Sequence, residues 1–186
     1  MRINSLGIIA GILTALLPFT GYWWHFGIAD FLVMNISPFK IDIVIAGERL
    51  VSPLLEWFCR GLTAIALLSG FFLFVGSLNV EKWWGVKLIR FGSLKILFLV
   101  ISFLVSVLIL PVFTTTVSER LDVPAGLQIP FHGVEDVVFE MEGVKISFKV
   151  FSILTQSFWL ACITAIFGLA SRIHLRWSAR KVLDAS

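Results

Sequence analysis

A four-helix transmembrane bundle carrying a small antiparallel β-sheet, built from two loops on the extracellular side, is the fold class the sequence predicts. Three observations predict it. The 186-residue chain is 58% hydrophobic, with a mean hydropathy of +0.96, against about 45–50% for a soluble domain by a similar count. The apolar residues gather in four runs, at 6–26, 54–78, 93–113 and 151–173, each long enough for a hydrocarbon core of about 30 Å. Between the third and fourth runs, side chains alternate apolar and polar with period two, which is strand patterning rather than helix patterning.

The first run, LGIIAGILTALLPFTGYWWHF, follows Arg2 and lacks a small-residue cleavage pattern. It is read as an uncleaved span with Tyr22, Trp23 and Trp24 as an interfacial aromatic belt. Gly7, Gly11 and Ala15 recur at every fourth position, a spacing that lets another helix approach closely and that ordinary glycine usage also produces. Pro18 is expected to kink this helix.

The loop at 27–53 is of mixed polarity. Phe39, Ile41, Ile43 and Ile45 alternate with Lys40, Asp42, Val44 and Ala46, predicting a strand that turns at Ala46-Gly47. The 49–51 stretch is placed to pair back onto it. Asn35-Ile36-Ser37 matches a glycosylation acceptor pattern, although Pro38 directly after it favours chance. Ser52-Pro53 then opens the second span with a hydroxyl N-cap and a proline at the first helical position. Glu56 and Arg60, four residues apart, can pair on one helix face.

The connection at 79–92 is short and basic, with Trp83 and Trp84 read as interfacial. Lys95, just inside the third span, can snorkel to the headgroups. The β-branched stretch at 112–117 is expected to run on into a strand. The loop at 114–150 ends in a hairpin at 134–150, VEDVVFEMEGVKISFKV. Pairing Met141 with Val144 puts Val137, Phe139, Met141, Ile146 and Phe148 on one face. The same register sets Glu140 opposite Lys145 and Asp136 opposite Lys149, worth about 0.2–1 kcal/mol each. The fourth span follows the second strand with almost no linker. The tail at 174–186 continues a stripe of Arg172, Arg176 and Arg180, suited to lipid-headgroup contact or to a plain cytoplasmic anchor.

Lys and Arg number nine in the N-terminus, central connection and tail, against five in the two larger loops. By the positive-inside rule both termini are cytoplasmic, and both strand-bearing loops lie outside the cell membrane. The plan is similar to that of claudin-like four-span proteins. Their first-loop signature, a tryptophan, a Gly-Leu-Trp string and two cysteines, has its nearest string here in Leu55-Glu56-Trp57-Phe58-Cys59-Arg60. That string holds one cysteine and lies inside a predicted helix. The resemblance implies one sheet shared by two loops and carries no residue roles.

Function is less legible. A formal charge of +3 is too small to point to nucleic acid. The two cysteines, Cys59 and Cys162, form no framework, and the sequence contains no nucleophile elbow, phosphate loop or zinc-protease helix. No cofactor or metal is expected. Glu56, Arg60, Gln156 and His25 are candidates for one polar pocket, and the apolar hairpin face is a candidate interaction surface. The first reading is a non-enzymatic interaction or accessory subunit whose partners are the lipid bilayer and either further copies of itself or another membrane protein. The alternatives are an oligomeric carrier or channel for a small solute or lipid, using Glu56, Arg60 and Gln156, and an intramembrane redox subunit using His25 and His132.

Overall fold

The computed structural model describes residues 3–50, 52–120, 132–141 and 144–183. It contains four helices and one six-stranded antiparallel sheet.

Helix α1 (Ser5–Leu16) begins at Asn4, whose side-chain oxygen accepts the Gly7 N–H at 3.3 Å. It passes into a 3-10 turn at Leu17–Phe19. Pro18 has no N–H to continue the helical ladder, so the helix stops rather than kinks. Gly21, at φ +104°, takes the left-handed conformation that redirects the chain. The predicted span at 6–26 is therefore cut short. Its twelve α-helical and three 3-10 residues reach about 23 Å, and Trp24 already belongs to the sheet. Trp23 and Trp24 are buried instead of forming an exposed belt.

Strands β1 (Trp24–Ile28), β2 (Leu32–Ser37), β3 (Lys40–Ile45) and β4 (Glu48–Leu50) form a meander. Ser37 shapes the β2–β3 turn by accepting the N–H groups of Phe39 and Lys40, at 3.3 and 3.0 Å. The expected β3 and its return strand are both present, with the turn at Ala46-Gly47 where φ is +50° and +83°. Two positive φ values in succession suit a tight hairpin. The first two strands were not anticipated.

Helix α2 (Pro53–Leu78) follows β4, α3 (Trp83–Arg120) follows α2 through a short connection, and α4 (Gln156–Leu183) follows the last strand of the sheet. Within them Pro53–Leu78, Trp83–Ile109 and Gln156–Leu175 are long and apolar enough to cross a membrane. Two boundaries differ from expectation. Trp83 and Trp84 open α3 instead of lying in a connection, and residues 112–117 remain helical, because β-branched propensity is weak against an established helix. Residues 151–154, predicted as helix, belong to the last strand, β6 (Val144–Leu154), because they pair with β1.

The hairpin is β5 (Gly133–Met141) with β6 (Val144–Leu154). Its register is the predicted one: Met141 opposite Val144, Glu140 opposite Lys145, Asp136 opposite Lys149. Both strands extend further than 134–150, to the pair Gly133 and Ser152. The sheet order is β4-β3-β2-β1-β6-β5. Both strand-bearing segments thus join in a single sheet, and their seam is β1–β6, from Trp24 opposite Leu154 to Ile28 opposite Val150.

Helix α1 packs on α2 and α4, and α3 also packs on α2 and α4. The α1–α2 contact is backbone against backbone. A Cβ at Gly11 would sit 2.8 Å from the Gly70 carbonyl oxygen, and one at Gly70 would sit 2.7 Å from that of Gly11. The small-residue stripe is therefore a helix-packing face. At the far end, the Asn4 N–H donates to the Ser77 carbonyl at 3.1 Å, and its side-chain amide donates to the Ser171 hydroxyl at 2.8 Å. These bonds tie α1 to α2 and α4. At the sheet end, Trp23 is fully buried and meets Phe39, Phe103 and Phe158 edge-on, with centroids 5.6, 5.2 and 6.1 Å away.

Gly11→Leu and Gly70→Leu are each expected to cost about 1–3 kcal/mol through overpacking. Gly61→Leu, which enters open space among the described residues, is expected to change little. Thermal unfolding of the three detergent-solubilised variants checks the contrast. Trp23→Ala is expected to cost more, about 3–5 kcal/mol, read as loss of the cooperative transition or a large fall in its midpoint.

Candidate functional site

Two adjoining concavities lie where the sheet meets α2 and α3. The first, of about 280 Å³, is a polar cleft between the β3–β4 hairpin and the start of α2. Strand β3 contributes Lys40, β4 contributes Arg49, and α2 contributes Glu56 and Arg60. The helical spacing of four puts the last two on one face. Their closest atoms, Glu56 Oε2 and Arg60 Nη2, are 3.8 Å apart, with the side chains 56% and 68% exposed. A pair so exposed and so long contributes little stability.

The cations are steadied by other partners. The Arg60 guanidinium lies 5.4 Å from the Trp57 ring centre, and Lys40 Nζ lies 5.1 Å from that of Tyr22. The Arg49 Nε–H donates to Asp42 across the β3–β4 hairpin at 2.5 Å. Among the described residues lining the cleft, Glu56 is the only acid.

The second concavity, of about 570 Å³, is an apolar groove between α2, α3 and the underside of the sheet. Phe58, Leu62 and Ile65 recur at helical spacing along α2, and Phe98, Leu99 and Ser102 do so along α3. Met34 and Ile36, two residues apart, share a face of β2, and Ile41 lies opposite Ile36 on β3. These side chains roof the groove. Ile41 and Cys59 line both concavities, so the polar cleft and the apolar groove are neighbours. Lys95, lining the groove on α3, carries its ammonium 5.1 Å from the Phe91 ring centre. Phe91 is one turn nearer the helix start, so the ammonium snorkels away from the sheet.

The four residues considered for one polar pocket divide. Glu56 and Arg60 share the cleft. Gln156 is exposed at the start of α4, and His25 lies on β1 against Asn35 Oδ1 of β2, 2.5 Å from its Nδ1. Neither lines the cleft. His132, just before β5, is exposed. It precedes the first β5 pair, Gly133 with Ser152, and β5 is separated from the His25 strand by β6. Among the described residues, no group of three or more His, Cys, Asp or Glu is arranged to hold a metal ion.

The apolar hairpin face turns inward where it is described. Val137 is buried in the core shared with Phe103 and Val107 of α3, and Phe148 packs against that core. The side chains of Phe139, Met141 and Ile146 lie outside the described residues, as do those of Arg176 and Arg180. Arg172 is half-buried on α4. The groove was missed by sequence reading. Its α2 and α3 stripes have helical periodicity, but a membrane helix apolar on every side hides any one stripe.

No protein-family model matches the sequence, and no curated protein matches it. The site is therefore read on its chemistry alone: a cation-rich mouth beside an apolar trough.

Glu56→Gln and Arg60→Gln are each expected to lower stability by no more than about 0.5 kcal/mol, the range of an exposed helical pair. Chemical unfolding in detergent checks this, and a loss of several times that size would make the pair structural.

Proposed function

We propose that this is a non-enzymatic, multi-pass cell-membrane protein, an interaction or accessory subunit whose sheet faces outward. In this reading the four helices form a bundle, and the termini and the α2–α3 connection are cytoplasmic. Three apolar helices of spanning length support the membrane setting, and the Lys/Arg distribution supports the orientation. The strands all lie at one end of the helices, and Asn4, Ser77 and Ser171 meet at the other. That separation of ends suits a protein with a distinct outer and inner side.

The observation that carries the interaction reading is the open sheet. Strand β5 is its terminal strand, and among the described residues nothing pairs with its far edge over the nine residues of Gly133–Met141. Val134 and Val138 are exposed on the same strand. A long edge strand with exposed β-branched side chains is a template for another strand. The partner is a second copy or another membrane protein that adds a strand there. The bilayer surrounds the helices, and nucleic acid has no part in this reading.

An oligomeric carrier of a small solute or lipid is the second reading. The adjacency of the Glu56–Arg60 cleft to the apolar groove favours it.

Two measurements test the first reading. In a background of Cys59→Ala and Cys162→Ala, Glu48→Cys should react with a membrane-impermeant maleimide on intact cells, and Glu81→Cys only after permeabilisation. The reverse pattern overturns the orientation, and release of the chain by carbonate washing overturns the membrane setting. Native mass measurement after gentle extraction should find a homo-oligomer or a co-purifying membrane protein. A strict monomer with no partner counts against the interaction reading.

A further inference from the structure

We propose that the cleft and groove together form a binding site for an anionic phospholipid, its phosphate in the mouth and its acyl tail along α2 and α3. The inference rests on the membrane setting proposed above and not on the sheet-edge partner.

The mouth has the chemistry for a phosphate. Lys40, Arg49 and Arg60 line it with Glu56 as the only acid among the described lining residues. Counting Asp42, which holds Arg49, one positive charge remains in surplus. Lys40 and Arg60 rest against aromatic faces. A cation held through a ring face keeps its N–H donors for other acceptors. Guanidinium groups match phosphate oxygens in paired hydrogen bonds, and a lysine adds a point charge.

The groove has the chemistry for the tail. Its α3 side runs from Lys95 to Val107, about 18 Å at the helical rise, and its volume is about twice that of the mouth. It opens sideways: Phe58 is 62%, Ile65 48% and Phe98 71% exposed. In water such a contiguous apolar surface would be a liability, whereas in a bilayer it is where a tail lies. A neutral hydrocarbon would leave the cations of the mouth unused. A partner helix would have to carry its own anion at the level of the sheet. One molecule with an anionic end and an apolar end matches both halves, which lie side by side at Ile41 and Cys59.

The test uses the full-length protein in a mild detergent, titrated with dioleoyl phosphatidylglycerol, dioleoyl phosphatidylcholine, dioleoylglycerol and inorganic phosphate, with bound species counted by native mass spectrometry. Phosphatidylglycerol is expected to bind at least tenfold more tightly than the other three. Two variant sets separate the halves of the site. Lys40→Ala/Arg60→Ala changes exposed side chains at the mouth, and Ile65→Trp fills the groove from its open side. Each is expected to weaken phosphatidylglycerol at least tenfold while leaving the unfolding midpoint within a few degrees. Equal binding of phosphatidylcholine or dioleoylglycerol overturns the headgroup assignment, and equal binding of inorganic phosphate overturns the lipid. Retention of phosphatidylglycerol in both variant sets overturns the site. A dimer lost in Ile65→Trp without any change in lipid binding assigns the groove to a second copy, which also overturns the proposal. Failure of the membrane setting is read separately, in the carbonate wash.

Discussion

The pairing of β1 with β6 is the constraint on which the architecture depends. Each strand is joined almost directly to a helix, β1 to α1 through the turn at Leu17–Phe19 and β6 to α4 through Thr155 alone. The seam therefore fixes two helices as it closes the sheet. Its end is locked by the Thr155 N–H donating to the Trp23 carbonyl at 2.9 Å, while the Trp23 N–H ties the same point to the Ile36 carbonyl of β2, also at 2.9 Å. Hydroxyls reinforce it, the Thr155 Oγ1–H donating to the Tyr22 carbonyl and the Ser157 Oγ–H to that of Thr20. The Trp23 ring sits at the same point, between sheet, α3 and α4. Its indole N–H has no hydrogen-bond partner among the described residues, which costs about 1–3 kcal/mol. Burying about 150–250 Å² of aromatic surface returns about 4–6 kcal/mol at 25 cal/mol/Å². Packing wins, so the ring stays inside.

The opposite end of the helices is held by different means. There the chain uses backbone proximity at Gly11 and Gly70 and the bonds of Asn4 to Ser77 and Ser171. In the proposed membrane setting, lipid offers no hydrophobic gain for bringing one apolar helix to another, so close van der Waals contact and buried hydrogen bonds must do it. The sheet end, rich in aromatic rings, and the far end, rich in glycine and serine, thus solve one problem with two chemistries.

How much of this could be read beforehand followed from which residues carry a pattern. The β5–β6 register was legible because alternation and two cross-strand charge matches, Asp136 with Lys149 and Glu140 with Lys145, exclude a one-residue slip. The β3–β4 return was legible from alternation and the Ala46-Gly47 turn. Strand β1 was not, because Trp24–Ile28 ends a continuous apolar run, and hydropathy cannot separate a buried strand from a span. Residues 151–154 were lost to the fourth span for the same reason. At the site, Glu56 and Arg60 were legible as a helical pair. Lys40 and Arg49 joined them only through sheet topology, which places a hairpin over the start of α2. Periodicity alone showed that the Val137 face needs a cover, from the chain itself or from a partner. Val137 and Phe148 join the core that also holds Phe103 and Val107, so the chain itself covers these two, something no single strand's sequence reveals.

The seam also has a consequence for how the chain is made. Trp24 and Ser152, which are hydrogen-bonded across it, lie 128 residues apart in sequence. At about 5–20 residues per second, the ribosome needs roughly 6–26 s to supply the second strand after the first. For most of that interval the β1–β4 meander is complete, with the β1 edge that β6 will cover still bare. Such an edge is the surface on which nascent chains pair with the wrong neighbour. The last strand to be synthesised, leading straight into the last helix, is the one that ends this exposure.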